Sequence, residues 1–95
     1  MLAEFSVVPI GAGESVSGYV AECMRIVQAS GIKHQLTPMA TVLEGDLEEV
    51  MEVIMKCHRR ILEMSNRVIT SIKIDDRKGR KDAMMEKIKS VQAKL

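Results

Sequence analysis

The amino-acid pattern predicts an α+β fold: a four-stranded antiparallel sheet carrying two helices on one face, with one further helix at the C-terminus. Three observations predict it. Apolar residues recur at every second position in four short stretches and at helical spacing in three others, in the order β-α-β-β-α-β-α. Glycine and proline fall at the breaks between stretches. The chain has 95 residues, 46% of them hydrophobic, which is enough apolar material for one core, so a single domain over residues 1–95 is expected.

Residues 2–10 (LAEFSVVPI) are rich in β-formers and stop at Gly11-Ala12-Gly13, which predicts a strand and a loop. From Val16 the period changes. Val16, Tyr19, Val20, Cys23, Ile26, Val27 and Ser30 follow helical spacing, with Ser15 or Ser17 as N-cap and Gly31 as the stop. In residues 32–37, Ile32, His34 and Leu36 alternate with Lys33, Gln35 and Thr37 up to Pro38, the pattern of a half-buried strand. Residues 39–45 (MATVLEG) give a short third strand.

Asp46 with Glu49 predicts a capping box before the strongest helical pattern, whose apolar stripe is Leu47, Val50, Met51, Ile54, His58, Ile61 and Leu62. Residues 67–75 (RVITSIKID) place Val68, Thr70, Ile72 and Ile74 on one strand face and Arg67, Ile69, Ser71 and Lys73 on the other. A charged turn leads to a last helix from about Asp82, with Met84, Ile88, Val91 and Leu95 on its inner side. The β-α-β-β-α-β order is the split βαβ arrangement of ferredoxin-like folds. Right-handed connections put both long helices on one sheet face. Ser6, Val8, Lys33, Gln35, Ile69 and Ser71 project from the other. That mixture is too apolar for solvent and too polar for a core, so a homo-oligomer joined through open sheet faces is expected.

Composition excludes several classes. Apolar runs are four residues or shorter, far below the ~20 of a membrane span. The start MLAEFSVV, acidic at Glu4, does not read as a secretory signal, and a cytoplasmic protein is expected. Cys23 and Cys57, 34 residues apart and outside any CxxC pair, read as buried thiols. Residues 1–76 carry 7 basic and 11 acidic side chains (7 − 11 = −4), whereas residues 77–95 carry 7 and 2 (7 − 2 = +5). The run Arg77-Lys78-Gly79-Arg80-Lys81 reads as a solvated turn.

Catalysis finds no constellation. Cys57 and His58 are adjacent on a helix and point about 100° apart, so they form no dyad. His58 and His34, 24 residues apart, both sit on apolar faces and match no metal-ligand spacing. The loop GAGESV departs from the GxGxxG phosphate cradle. An RNA-recognition sheet needs stacking aromatics, and this chain has one Phe and one Tyr, with Tyr19 on a helix and Phe5 facing the helices. A nucleic-acid role would rest on the basic tail by itself. Neither catalytic nor metal-binding residues, nor a cofactor, are expected. Eight methionines fill an aromatic-poor interior and its edges, among them Met51, Met55, Met64, Met84 and Met85, while Met39 follows Pro38 at a strand edge where a thioether suits a pocket wall.

The stretches EFSVVPIG, SVSGYVAE, PMATVLEG, the helix carrying His58, and RVITSIKIDDR together resemble the thiamine-binding protein family, known also through the YkoF-like proteins. The resemblance runs from Glu4 to Arg77. It implies a ferredoxin-like subunit in a homotetramer with open sheets involved in association, and a non-catalytic binder of thiamine or its hydroxymethyl-pyrimidine part in vitamin homeostasis or transport. An aminopyrimidine asks for a polar edge beside a soft wall. Ser17, Thr41 and Glu44 are the candidates for the edge, Met39 and Tyr19 for the wall, and Glu44 is the first choice beside a thiazolium cation. Each also has a plain structural reading: Ser17 as a cap, Thr41 as a β-branched strand residue, Glu44 as a solvated turn residue. The alternative function is a regulatory or scaffold module that binds only itself or another protein through its open sheet.

Overall fold

The computed structural model describes residues 1–13, 15–79 and 83–95. Its elements are β1 (Leu2–Pro9), α1 (Ser17–Ser30), β2 (Lys33–Leu36), β3 (Thr41–Glu44), α2 (Leu47–Met64), β4 (Val68–Asp75) and α3 (Ala83–Gln92). The strands form one antiparallel sheet in the order β2-β3-β1-β4. This is the ferredoxin-like arrangement the apolar periods predict, with each strand trimmed at its ends.

Register fixes which side chains share a face. Phe5 lies opposite Thr41 and Ile72, and Val7 opposite Thr70. These residues, with Ala3 and Leu43, face α1 and α2. The core joins Ala3, Phe5 and Leu43 to Val27 and Cys23 of α1 and to Val50, Val53, Ile54, Cys57 and Ile61 of α2. On the other face, Ser6 pairs with Ser71 and Val8 with Ile69, while Lys33 and Gln35 project from β2 by alternation.

Several local expectations need correction. Val16, not a serine, is the N-cap of α1, and it contributes no side-chain cap bond. The hydroxyls of Ser15 and Ser17 meet each other instead, at 3.3 Å. Asp46 is the N-cap of α2 without a side-chain cap bond, so no capping box forms. The buried face of α2 is rotated toward Val53 and Cys57, leaving Leu47 and Leu62 exposed, because α1 lies against that side. Arg60 of α2, 3.5 Å from Glu22 of α1, marks the same contact.

The last helix departs furthest from its expected packing. Only Ala83 and Met84 are buried, whereas Val91 is 60% and Leu95 99% exposed. Its start is held where Met84 N donates to Glu44 Oε2 at 3.4 Å and where Lys87 pairs with Asp75. Register places Glu44 and Asp75, both opposite Leu2, on the sheet face away from α1 and α2. One end of that face is therefore covered by α3. Arg80, Lys81 and the expected helix start at Asp82 lie outside the described residues, as does Glu14 of the first loop.

Candidate functional site

The five side chains nominated from sequence divide between the two ends of the sheet. Thr41 begins β3 and Glu44 ends it. Spaced three apart on a strand, they lie about 10 Å apart and on opposite faces. Ser17, at the start of α1, and Met39, in the β2–β3 turn, belong to the Thr41 end.

At that end the turn is built by Thr37. Its hydroxyl donates to Ala40 O at 2.8 Å and accepts from the backbone N–H of Met39 and Ala40 at 3.3 and 3.1 Å. This closure explains the hairpin between Leu36 and Thr41, which face each other across it, and it pushes Met39 outward to 88% exposure. Thr41 is buried at 7% exposure, yet its hydroxyl donates to a thioether, Met24 Sδ at 3.8 Å. Sulfur is a weak acceptor, so the hydroxyl keeps most of its hydrogen-bonding capacity. Leu36, on the same face of the edge strand, is exposed. The result is a soft apolar margin from Leu36, Met24 and Met39 beside one under-used hydroxyl.

Tyr19 is directed elsewhere. It packs against the core and, three residues before Glu22, shares the side of α1 that meets α2. Ser17 is exposed and bonded to Ser15. Neither touches the Thr41 margin by any contact that the fold requires.

At the opposite end Glu44 is already matched. Its Oε1 lies 3.2 Å from Lys33 Nζ, an ion-pair distance outside hydrogen-bond geometry, and its Oε2 accepts from Met84 N. Nearby, the Met1 ammonium donates to Gly45 O at 2.8 Å. A hollow of about 90 Å³ lies between Met1, Asp75, Arg77, Ala83 and Lys87. A ligand-burying pocket is usually about 300 Å³ or more, so this hollow alone does not bury a vitamin.

Sequence reasoning missed Lys33, Met24 and Leu36. Lys33 was legible from the hairpin, since a turn centred between Pro38 and Met39 sets Lys33 opposite Glu44. Met24 had no such signal, because helical spacing does not say which strand a helix edge will touch.

The two histidines and two cysteines are engaged inside the fold. His58 Nδ1 is 2.7 Å from Thr70 Oγ1, and His34 Nδ1 is 2.8 Å from Ile32 O. Cys57 Sγ donates to Cys23 O at 3.6 Å, and both thiols are free and buried. Hydrogen bonding with the Cys23 side chain, reinforced by burial, holds the Cys57 thiol well above the usual thiol range. Among the described residues no three His, Cys, Asp or Glu side chains converge on a metal position, and no helix is long and apolar enough to cross a membrane.

Comparison with known proteins agrees with this architecture. The chain is 42% identical over 100 residues to the UPF0045 protein YqgV of Bacillus subtilis, covering 99% of this chain and 96% of that one. It is 36% identical to the hypothetical protein MJ1052 of Methanocaldococcus jannaschii, whose crystal structure superposes with a TM-score of 0.90 over 96% of this chain and 94% of that one. A Thermotoga maritima protein named for thiamine biosynthesis or salvage shares the fold at a TM-score of 0.81 and 21% identity, over 95% of this chain and 96% of that one. The family model for thiamine-binding protein matches residues 3–92, and the chain belongs to that family.

Proposed function

We propose that this protein binds thiamine or its hydroxymethyl-pyrimidine part without transforming it, in vitamin homeostasis or transport. Membership of a family named for binding rather than for a reaction carries the proposal. The margin at the start of β3 supports it chemically. There the Thr41 hydroxyl meets one polar edge of the aminopyrimidine, and Leu36, Met24 and Met39 lie along its flat face. Ser17, exposed at the start of α1, lies at the same end of the sheet as this margin, whereas Tyr19 packs against the core. Glu44, neutralised by Lys33 at the far end, serves the fold of its own subunit and is not part of this margin.

We place association on the open sheet face, where Val8 and Ile69 are exposed and directly paired, within a homotetramer. No cofactor or metal takes part.

Thermal melting tests the binding directly. Ligand at a hundred times its dissociation constant adds roughly 2.7 kcal/mol, which for a chain of this size raises the midpoint by roughly 10 °C or more. Thiamine or the hydroxymethyl pyrimidine should produce that shift. A midpoint unmoved by either compound at millimolar concentration contradicts the proposal.

A further inference from the structure

We propose that Cys23 and Cys57 are a reversible oxidation site: in the presence of a peroxide the two thiols close an intramolecular disulfide that ties α1 to α2, and a dithiol reopens it.

The two long helices bring the thiols together. Cys23 and Val27 are the buried residues of α1, and Val53, Cys57 and Ile61 recur at intervals of four along the buried side of α2. Cys57 Sγ donates to Cys23 O at 3.6 Å, and the Cys57 thiol is also hydrogen-bonded to the Cys23 side chain. Close by, Glu22 and Arg60 pair across the same two helices at 3.5 Å, so both sulfurs sit on segments already held side by side. From hydrogen-bond contact the sulfurs must approach by roughly 2 Å to reach disulfide length. That is the scale of one side-chain rotation. These are the only two cysteines of the chain, and no third thiol competes.

The pair is chemically unequal. Hydrogen bonding with Cys57 lowers the Cys23 thiol, against burial and Glu22, which raise it, and Cys23 keeps 7% exposure while Cys57 is fully enclosed. Peroxide reacts with thiolate, so Cys23 is the attacking sulfur and Cys57 the resolving one. The Cys23 thiolate attacks one peroxide oxygen. The O–O bond breaks, and the departing hydroxide takes up the proton that Cys23 released, leaving a sulfenic acid on Cys23. The Cys57 sulfur then attacks the Cys23 sulfur, the S–O bond breaks, and the departing hydroxide leaves as water with the Cys57 proton. Two thiols and one peroxide become one disulfide and two waters. With the resolving thiol in contact, the sulfenic acid closes before a second peroxide carries it to the irreversible sulfinic acid. The new bond joins residues 23 and 57 around β2 and β3 and so restricts the unfolded chain.

Hydrogen peroxide added to the full, folded protein tests the site. Peptide mapping without reductant should recover a Cys23–Cys57 cross-link, free thiols should fall from two per chain to none, and dithiothreitol should return both. Exposed methionines such as Met39 also take up oxygen, so the cross-link rather than the intact mass is the readout. The rate should rise in proportion to peroxide, the mark of a reaction in the folded chain, and the melting midpoint of the cross-linked protein should rise by about 10 °C. In Cys57→Ala with native circular dichroism, Cys23 should stop at a sulfenic acid that a cyclic diketone traps. Should that variant fail to fold, the unaltered protein still decides. Thiols that survive a large excess of peroxide, sulfinic acid without the cross-link, or bonds only between chains overturn the proposal. So does a rate that levels off at the unfolding rate, or a cross-linked product without native circular dichroism.

Discussion

Thr41 and Glu44 stand at the two ends of one four-residue strand and face opposite sides of the sheet. They therefore do different work. Thr41 offers a hydroxyl that, among the described residues, a thioether engages, and Glu44 offers a carboxylate already occupied by Lys33 and the start of α3.

Replacing each separates these parts. Thr41→Val keeps the β-branched shape and removes the hydroxyl, and it should weaken ligand binding roughly tenfold, the worth of about one hydrogen bond, with little change in melting temperature. Glu44→Gln should leave binding unchanged and cost less than about 1 kcal/mol of stability, because Lys33 is partly exposed and screened. Denaturant titration and ligand binding on both variants read the difference. The opposite assignment, with binding lost only in Glu44→Gln, contradicts the proposed margin.

The His58–Thr70 hydrogen bond joins α2 to β4 at 2.7 Å. Thr70→Val should destabilise the fold by about 1 kcal/mol, because His58 is half-buried and water replaces the lost partner only in part. Equilibrium unfolding in urea measures it. A variant as stable as the parent shows that the bond contributes nothing net.

Gly31 ends α1 in the left-handed region at φ 74° and its N–H donates to Gln28 O at 3.2 Å. Gly31→Ala should cost about 1 kcal/mol, since a side chain there meets the backbone penalty of that region. No neighbour obstructs the added carbon, so conformation alone accounts for the loss. Unchanged stability contradicts this account of the helix stop.

The cysteine pair makes a chemical prediction. Hydrogen bonding with Cys57 lowers the Cys23 thiol, while Cys57 is raised and fully buried. Since the thiolate is the nucleophile, native protein exposed to an alkylating reagent at mildly basic pH should be modified at Cys23 before Cys57. Both should react quickly once the chain is unfolded. Peptide mass mapping reads the order, and prior modification of Cys57 refutes it.

Much of the fold was legible because periodicity reports burial directly. Alternation at Phe5, Val7 and Thr70 named the helix-facing side, and Val50, Ile54 and Ile61 named the inner face of α2. Capping was not, since Ser15, Ser17 and Asp46 all have the right chemistry and none makes the bond. The packing of α3 was hidden for another reason: an apolar stripe says that a helix seeks cover, not whether its own chain supplies it. The site was legible in its residue types and less so in its grouping. Sequence grouped Thr41 and Glu44 by their chemistry on one short strand, although a spacing of three already turns them to opposite faces.

The most direct measurement is a calorimetric titration of the intact protein with the hydroxymethyl pyrimidine and with thiamine, repeated on Thr41→Val. Saturable binding that weakens roughly tenfold in the variant is the result expected of a ligand held at the start of β3. An absence of heat with either compound, or equal affinity in both proteins, contradicts it.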